Sequence, residues 1–103
     1  MTNDLKPREA LAAQNSGALL VDVREKNEWD SGHMPGAVWI PMSEIPNRLS
    51  ELPRGRDLIF TCRSGRRSGE IKRYLIEEHG YDRVHNLLGG ILAWATDGLS
   101  VVK

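Results

Sequence analysis

The chain has little of several features that would indicate a partner or a compartment. Acidic and basic side chains balance at 14 each, so no net charge draws the protein to nucleic acid or to an anionic membrane. No apolar run reaches the length of a membrane span, and residues 1–5 lack the basic-then-apolar order of a secretion signal. With a length of 103 residues, these absences predict a single cytoplasmic domain over residues 1–103 with no nucleic-acid or membrane partner.

Cysteine is scarcer still, because Cys62 is the only one in the sequence. One cysteine cannot form an internal disulfide, which is typical of a reducing compartment, although a secreted protein whose export signal had been removed would look the same. One cysteine and three scattered histidines also lack the spacing of a metal site, and the glycines form neither a Rossmann nor a P-loop pattern. No metal and no cofactor is therefore expected.

Apolar segments and turn residues alternate along the chain. Short, nearly continuous apolar runs predict strands of a buried sheet at residues 19–23, 37–40, 58–61 and 84–87. Helical spacing and stop signals predict helices at residues 7–15, 25–31 and 43–49, between the cysteine loop and Gly80, and at residues 91–96. This alternation predicts an α/β domain with a mostly parallel central sheet flanked by helices, in which ligands bind beyond the carboxyl ends of the strands.

Cys62 lies at one of these strand ends. It follows the apolar run at residues 58–61 and begins a loop, Cys-Arg-Ser-Gly-Arg-Arg-Ser, that leads into a helix. Backbone N–H groups of such a loop and the positive end of the helix dipole stabilise a thiolate, and three nearby arginines add to the effect. The pattern predicts a nucleophilic sulfur in a pocket that attracts anions, although a lone cysteine at a strand end is by itself more often a small buried hydrophobe.

The length of this loop bears on the electrophile that the sulfur attacks. Cys62, four further residues, Arg67 and Ser68 form a Cys-x4-Arg-Ser loop. Cysteine phosphatases resemble this layout, but they use His-Cys-x5-Arg, a loop one residue longer that surrounds a phosphate. Here Thr61 stands in place of the histidine, and the shorter loop favours a terminal sulfur over phosphorus. A cysteine phosphatase or an arsenate reductase stays as the less favoured alternative.

Motifs along nearly the whole chain resemble the single-domain form of the rhodanese family. In the first half they are Leu-Val-Asp-Val-Arg at 20–24, Glu28, Gly-His-Met-Pro-Gly-Ala at 32–37 and Ile-Pro at 40–41. In the second half they are Tyr81, Asp82, Val84, Leu-Gly-Gly at 88–90, Ala-Trp at 93–94 and Gly-Leu at 98–99. Each motif alone is weak, but their common order and spacing are specific. The resemblance implies a rhodanese-like three-layer α/β domain and a sulfurtransferase that carries sulfur as a persulfide.

The resemblance also implies a role for each residue of the loop. Cys62 would be the catalytic sulfur carrier, which takes a sulfane sulfur from thiosulfate or a similar donor and passes it to cyanide or another thiophile, a protein thiol included. The substrate-binding residues would be those that follow it, Arg63, Ser64, Gly65, Arg66 and Arg67. The site would be supported by Asp22, Arg24 and Ser68.

Three of these expectations have alternatives. Arg67 could equally be structural, paired inward with a carboxylate such as Asp22 while Arg63 and Arg66 face solvent. The best-known thiosulfate-using members tend to have two basic residues directly after the cysteine, where this chain has Arg63 and Ser64, and relatives that prefer mercaptopyruvate tend to have small residues there. A persulfide carrier or interaction module with little turnover of small molecules is the alternative to an enzyme.

Overall fold

Strands and helices alternate along residues 3–103, the residues that the structure, a computed structural model, describes. The strands are β1 (Asn3–Leu5), β2 (Leu19–Asp22), β3 (Val38–Trp39), β4 (Leu58–Thr61) and β5 (Val84–Leu87). The α-helices are α1 (Pro7–Asn15), α2 (Lys26–Asp30), α3 (Arg66–His79) and α4 (Gly90–Thr96), and two 3-10 segments span Met42–Asn47 and Leu49–Glu51. Within residues 3–103, every helix falls short of the length and apolarity that a transmembrane segment requires.

The five strands form one parallel sheet in the order β1-β5-β4-β2-β3. β4 is the central strand, hydrogen-bonded to β2 on one side and to β5 on the other. All four of its residues are buried, as expected for a parallel sheet that helices cover on both faces. The chain therefore leaves the middle of the sheet directly at Cys62.

Helices cover both faces of the sheet and divide the core in two. Phe60 of β4 belongs to the core on one face, with Ile71 and Leu75 of α3 and with residues of the 3-10 segments. The neighbouring Ile59 belongs to the core on the other face, with Trp94 of α4 and residues of α1. Successive residues of a strand point to opposite faces, so one apolar run supplies both cores. The predicted three-layer α/β fold is confirmed.

Two elements differ from the prediction. Residues 3–5 form the edge strand β1, which pairs with β5 and which a three-residue segment with one apolar side chain does not predict. Residues 43–49 were expected to be helical, but the chain forms the two 3-10 segments instead. Pro46 lies inside the first of them, and because proline has no N–H group and its ring clashes with the preceding turn, an α-helix is disfavoured there.

The C-terminal tail returns to the side of the sheet that carries β2. The backbones of His33 and Val102 exchange two hydrogen bonds, of 2.7 and 2.8 Å, in an antiparallel bridge. The indole N–H of Trp94 donates to the carbonyl of Ser100 at 2.8 Å. The tail is thus held against the turn that follows α2.

Candidate active site

The sulfur of Cys62 sits inside the turn that joins β4 to α3. Backbone N–H groups of Ser64, Gly65 and Ser68 donate hydrogen bonds to it, and the Gly65 nitrogen lies 3.1 Å from Sγ. Gly65 has a φ of +95°, and a Cβ at this position would lie 3.2 Å from the carbonyl oxygen of Leu87. Glycine is therefore needed for the loop to curl around the sulfur. Of the expected residues 63–67, Ser64 and Gly65 supply amide donors to the sulfur, and Ser68 supplies a third from the first turn of α3.

Cys62 is buried more completely than the sequence predicts. The residue is 1% exposed and belongs to the apolar cluster that contains Val23 and Ile71. This burial raises the pKa of the Cys62 thiol. Hydrogen bonds from the Ser68 hydroxyl and from the backbone N–H groups of Ser68, Gly65 and Ser64 together outweigh it, so the pKa lies below the ordinary value of cysteine. The sulfur is covered, but it is an acidic thiol among donors.

A polar network on β5 fixes the position of the Ser68 hydroxyl. The Asn86 amide donates from Nδ2 to the Gly65 carbonyl at 3.0 Å, which turns its Oδ1 towards Ser68. Ser68 Oγ lies 2.6 Å from that oxygen and 3.4 Å from the Cys62 sulfur. One hydroxyl proton serves one acceptor at a time. The hydroxyl can therefore donate to Asn86 when Cys62 is a thiol and to the sulfur when it is a thiolate.

Arg67 forms an ion pair with Glu28 of α2. Its Nη1 and Nη2 donate to the two carboxylate oxygens at 2.8 and 2.9 Å. The hydrogen bond from Arg67 is the main reason why the pKa of Glu28 falls to about 2. The same bond is the main cause of the raised pKa of Arg67, to which the charge of the Cys62 sulfur also contributes. Arg67 is thus paired with a carboxylate, as the structural alternative expects, but the partner is Glu28 and not Asp22, because Glu28 reaches the guanidinium from the helix that follows β2.

Asp22 instead binds Arg24, two residues along the chain. The Arg24 guanidinium donates to both carboxylate oxygens, at 2.8 to 3.0 Å, and to the carbonyl of Gly32 at 2.6 Å. Both side chains are buried, with 6% and 0% exposure for Arg24 and Asp22. The pair anchors the turn after α2, and among residues 3–103 neither side chain hydrogen-bonds to the cysteine loop. The Asp22–Arg24 pair can therefore support the cysteine loop only indirectly, through α2 and its residue Glu28, which holds Arg67.

Arg63 and Arg66 point outwards from the loop. Both residues are exposed, and within residues 3–103 no carboxylate or carbonyl pairs with either guanidinium. Arg67 and Ser68, by contrast, are held in place by their partners. Among residues 3–103, the structure therefore leaves two of the three arginines unpaired at the rim and pairs the third beside the sulfur.

Helix α4 holds the loop from behind. The N–H groups of Ile91 and Leu92 donate to the carbonyls of Cys62 and Arg63 at 2.9 and 3.1 Å. Gly90 has a φ of +60°, and a Cβ there would overlap these two carbonyl groups. The close approach of α4 to the loop thus depends on a glycine that the sequence analysis names only as part of the motif at residues 88–90.

Sequence reasoning missed Glu28, Asn86 and Gly90 as parts of this site. Asn86 had a signal, because it is a polar residue in the buried run Val84–Leu87. Glu28 occurs among the family motifs, but nothing in the sequence indicates which arginine it meets. Within residues 3–103, no group of three or more His, Cys, Asp or Glu side chains is arranged to hold a metal ion.

Comparison with known proteins identifies the family. The family model of the rhodanese-like domain matches residues 6–97. A sulfurtransferase of Allochromatium vinosum is 48% identical over 90 residues, which cover 87% of this chain and 83% of that protein. The thiosulfate sulfurtransferase GlpE of Stutzerimonas stutzeri is 30% identical over 90 residues, which cover 87% of this chain and 82% of that protein. The crystal structure of a rhodanese-related protein from Thermoplasma volcanium has a TM-score of 0.85 at 26% identity, with 97% of each chain covered.

The chain belongs to the rhodanese-like family. This membership confirms the resemblance that the sequence motifs indicate, and it supports sulfur transfer as the class of activity.

Proposed function

We propose that the protein is a thiosulfate sulfurtransferase that carries sulfur as a persulfide on Cys62. The proposal rests on the donors that surround the sulfur. The N–H groups of Ser64, Gly65 and Ser68 and the Ser68 hydroxyl lower the pKa of the Cys62 thiol. A thiolate is the reactive form of cysteine, and oriented donors around it stabilise negative charge without reorganisation. Both halves of a sulfur-transfer cycle need such a site.

In the first half of the cycle, the Cys62 thiolate attacks the outer sulfur of thiosulfate. A new bond forms between Sγ and that sulfur, the bond to the sulfonate sulfur breaks, and its electron pair leaves with sulfite. The terminal sulfur of the persulfide carries the negative charge that Sγ held before. The N–H groups of the loop that face Sγ are placed to stabilise this charge as well, because they are fixed by the fold.

In the second half, cyanide or a thiolate attacks the terminal sulfur. The new bond forms to the acceptor, and the electron pair of the sulfur–sulfur bond returns to Sγ, which regenerates the thiolate. A thiolate of low pKa is a good leaving group in this step. Lowering the pKa of Cys62 therefore favours both the formation and the discharge of the persulfide.

The arginines supply the charge that a dianionic donor requires. Arg63 and Arg66 are exposed at the rim, where their guanidinium groups attract and orient sulfonate oxygens. Arg67 lies beside the sulfur, but one N–H of each of its Nη nitrogens is engaged by Glu28. Because Cys62 is 1% exposed, the donor reaches the sulfur only when a covering side chain moves. Asp22 and Arg24 hold the turn from which Glu28 and α2 extend, and we assign them a supporting role.

Intact mass spectrometry tests the proposal. Incubation with thiosulfate should add the mass of one sulfur atom to the wild-type protein, and cyanide should remove it with release of thiocyanate. Cys62→Ser should show neither the adduct nor turnover, and rising salt should weaken thiosulfate use because it screens Arg63 and Arg66. An unchanged mass in folded wild-type protein would contradict the proposal. Hydrolysis of a phosphate ester without sulfur transfer would favour the phosphatase alternative.

A further inference from the structure

A groove beside the cysteine loop is larger and more apolar than a small inorganic donor requires. It lies between the turn after α2, helix α4 and the C-terminal tail, and its volume is about 300 Å³. We call it the α4 groove. Its apolar walls include Ile91, Leu92 and Val101, and its charged residues are Arg24, Glu28 and Arg63.

The walls of the α4 groove leave large aliphatic side chains in water. Leu92 is 47% exposed and Val101 is 42% exposed, and the exposed Ala95 lies between the same two walls. Covering such side chains with another apolar surface is favourable in free energy, because it removes apolar area from water. Neither thiosulfate nor cyanide has apolar surface to offer, so the small molecules of the proposed cycle leave these walls unexplained.

Val101 lines the wall of the α4 groove that the C-terminal tail forms, and this wall is held in place before any partner binds. The backbone of Val102 is paired with that of His33, and Ser100 accepts a hydrogen bond from Trp94. Val101 between them lies against Gly32, where a Cβ would come within 3.1 Å of the valine side chain. The groove therefore needs little ordering before a partner binds.

The uncompensated charge of the α4 groove is positive and belongs to Arg63. Arg24 is neutralised by Asp22, and Glu28 is neutralised by Arg67. Arg63 has no ion-pair partner among residues 3–103 and directly follows Cys62 in the chain. Ile91, which also lines the α4 groove, contacts the backbone of the cysteine, because its N–H donates to the Cys62 carbonyl at 2.9 Å. A ligand that matches this groove carries apolar groups along its length and a negative charge that can meet Arg63.

We propose that the α4 groove docks a protein that accepts sulfur from Cys62, through a segment that carries a cysteine, a neighbouring carboxylate and an aliphatic side chain. The carboxylate would meet Arg63, and the aliphatic group would cover Leu92 and Val101. The inference rests on the proposed persulfide cycle and names its acceptor. The acceptor thiolate attacks the terminal sulfur, and the electron pair of the broken sulfur–sulfur bond returns to Sγ. The acceptor leaves as its own persulfide.

Two synthetic peptides of equal length test this docking, acetyl-Leu-Val-Asp-Cys-Gly-amide and acetyl-Ser-Ser-Lys-Cys-Gly-amide. The protein is first loaded with thiosulfate, and the rate constant for sulfur transfer to each peptide is followed by mass spectrometry. With each rate constant referred to the thiolate form of the peptide, the first peptide should react about tenfold faster with the wild-type protein, since covering aliphatic surface and pairing one charge are each worth a few-fold in affinity. Leu92→Ser and Val101→Ser should each reduce that preference and leave the part that comes from pairing with Arg63.

Matched controls separate docking from general effects of a surface change. Leu88 is 48% exposed and Val38 is 39% exposed, and neither lines the α4 groove. Leu88→Ser and Val38→Ser should therefore leave the peptide preference as it is. All four variants should keep the wild-type rate with cyanide, because none of these side chains contacts the sulfur.

The outcomes distinguish this inference from the proposed function. Equal rates for the two peptides, or the same loss in the groove variants and in the controls, would overturn the docking site while cyanide turnover left the sulfurtransferase standing. A small apolar thiol such as benzyl mercaptan that outpaces both peptides, with a dependence on Leu92, would also overturn it. If the wild-type protein forms no persulfide at all, the proposed function fails first.

Discussion

The guanidinium of Arg67 and the carboxylate of Glu28 meet fork to fork, 39 residues apart in the chain, beside the sulfur of Cys62. Two parallel hydrogen bonds hold the arginine in one orientation. The pair also removes one positive charge from a site that we propose to bind a dianion. Glu28 would therefore oppose the binding of the proposed donor at the same time as it positions Arg67.

Glu28→Gln should lower the KM for thiosulfate by roughly three- to tenfold, which corresponds to about 1 kcal/mol of binding free energy. The reason is that the variant removes a negative charge and frees Arg67 to meet the donor. Steady-state kinetics with thiosulfate and cyanide measure the effect. Glu70→Gln, at an exposed position of α3, is the control and should leave the KM as it is. A higher KM in Glu28→Gln would show that Glu28 serves only to position Arg67.

The same ion pair predicts how stability depends on pH. The pKa of Glu28 is about 2 in the folded protein, below its ordinary value of 4.5. A carboxyl group with a lowered pKa stabilises the fold above its ordinary pKa, and this contribution is lost as the pH falls through the folded value. The difference in unfolding free energy between the wild type and Glu28→Gln should be constant above about pH 5 and should shrink towards pH 2. Urea unfolding at a series of pH values measures it, and a difference that does not depend on pH would contradict the assignment.

Ser68→Ala should raise the pKa of Cys62, because the Ser68 hydroxyl is the largest of the contributions that lower it. The rate of alkylation by iodoacetamide follows the thiolate, so its pH profile should move to higher pH and the rate at neutral pH should fall. Ser64→Ala is the matched control, since Ser64 is exposed and its N–H group remains. Coincident profiles for Ser68→Ala and the wild type would mean that the hydroxyl stays on Asn86.

Gly90→Ala should destabilise the protein by about 2 to 4 kcal/mol, because the new Cβ overlaps the carbonyl groups of Cys62 and Arg63. Gly98→Ala separates this overlap from backbone strain, since Gly98 has a similar φ of +79° with no atom within 4 Å of its Cβ position. The strain alone should cost about 1 kcal/mol. Denaturant unfolding compares the two variants, and equal losses would show that the contact with the loop has relaxed.

Asp22→Asn should be more damaging than loss of an exposed ion pair. It leaves the buried Arg24 guanidinium without its counter-charge, which typically costs about 3 to 5 kcal/mol. Asp30→Asn removes the exposed partner of Lys26 and should cost no more than about 0.5 kcal/mol. Thermal or urea unfolding measures both changes. A small loss in Asp22→Asn would mean that water reaches Arg24.

The sequence alone predicts the parts of this protein that depend on local order. Apolar runs too short for helices predict a parallel sheet, and the residue that follows one of them is Cys62. The loop from Cys62 to Ser68 is contiguous, so its amide donors can be anticipated from a glycine, a strand before it and a helix after it. Residues 43–49 show the limit of such a prediction. Their pattern suits an α-helix, but Pro46 lacks the N–H group that an α-helix needs there, and the chain forms 3-10 segments instead.

Only the tertiary structure decides which distant residues meet. The sheet order β1-β5-β4-β2-β3 places Asn86 beside the turn that begins at Cys62 and directs Glu28 towards Arg67 instead of leaving Arg67 to Asp22. It also buries the sulfur and lays Val101 along the groove beside it. These contacts arise from packing across the sheet between residues far apart in the chain, and the spacing of residues along the sequence carries no information about such pairings.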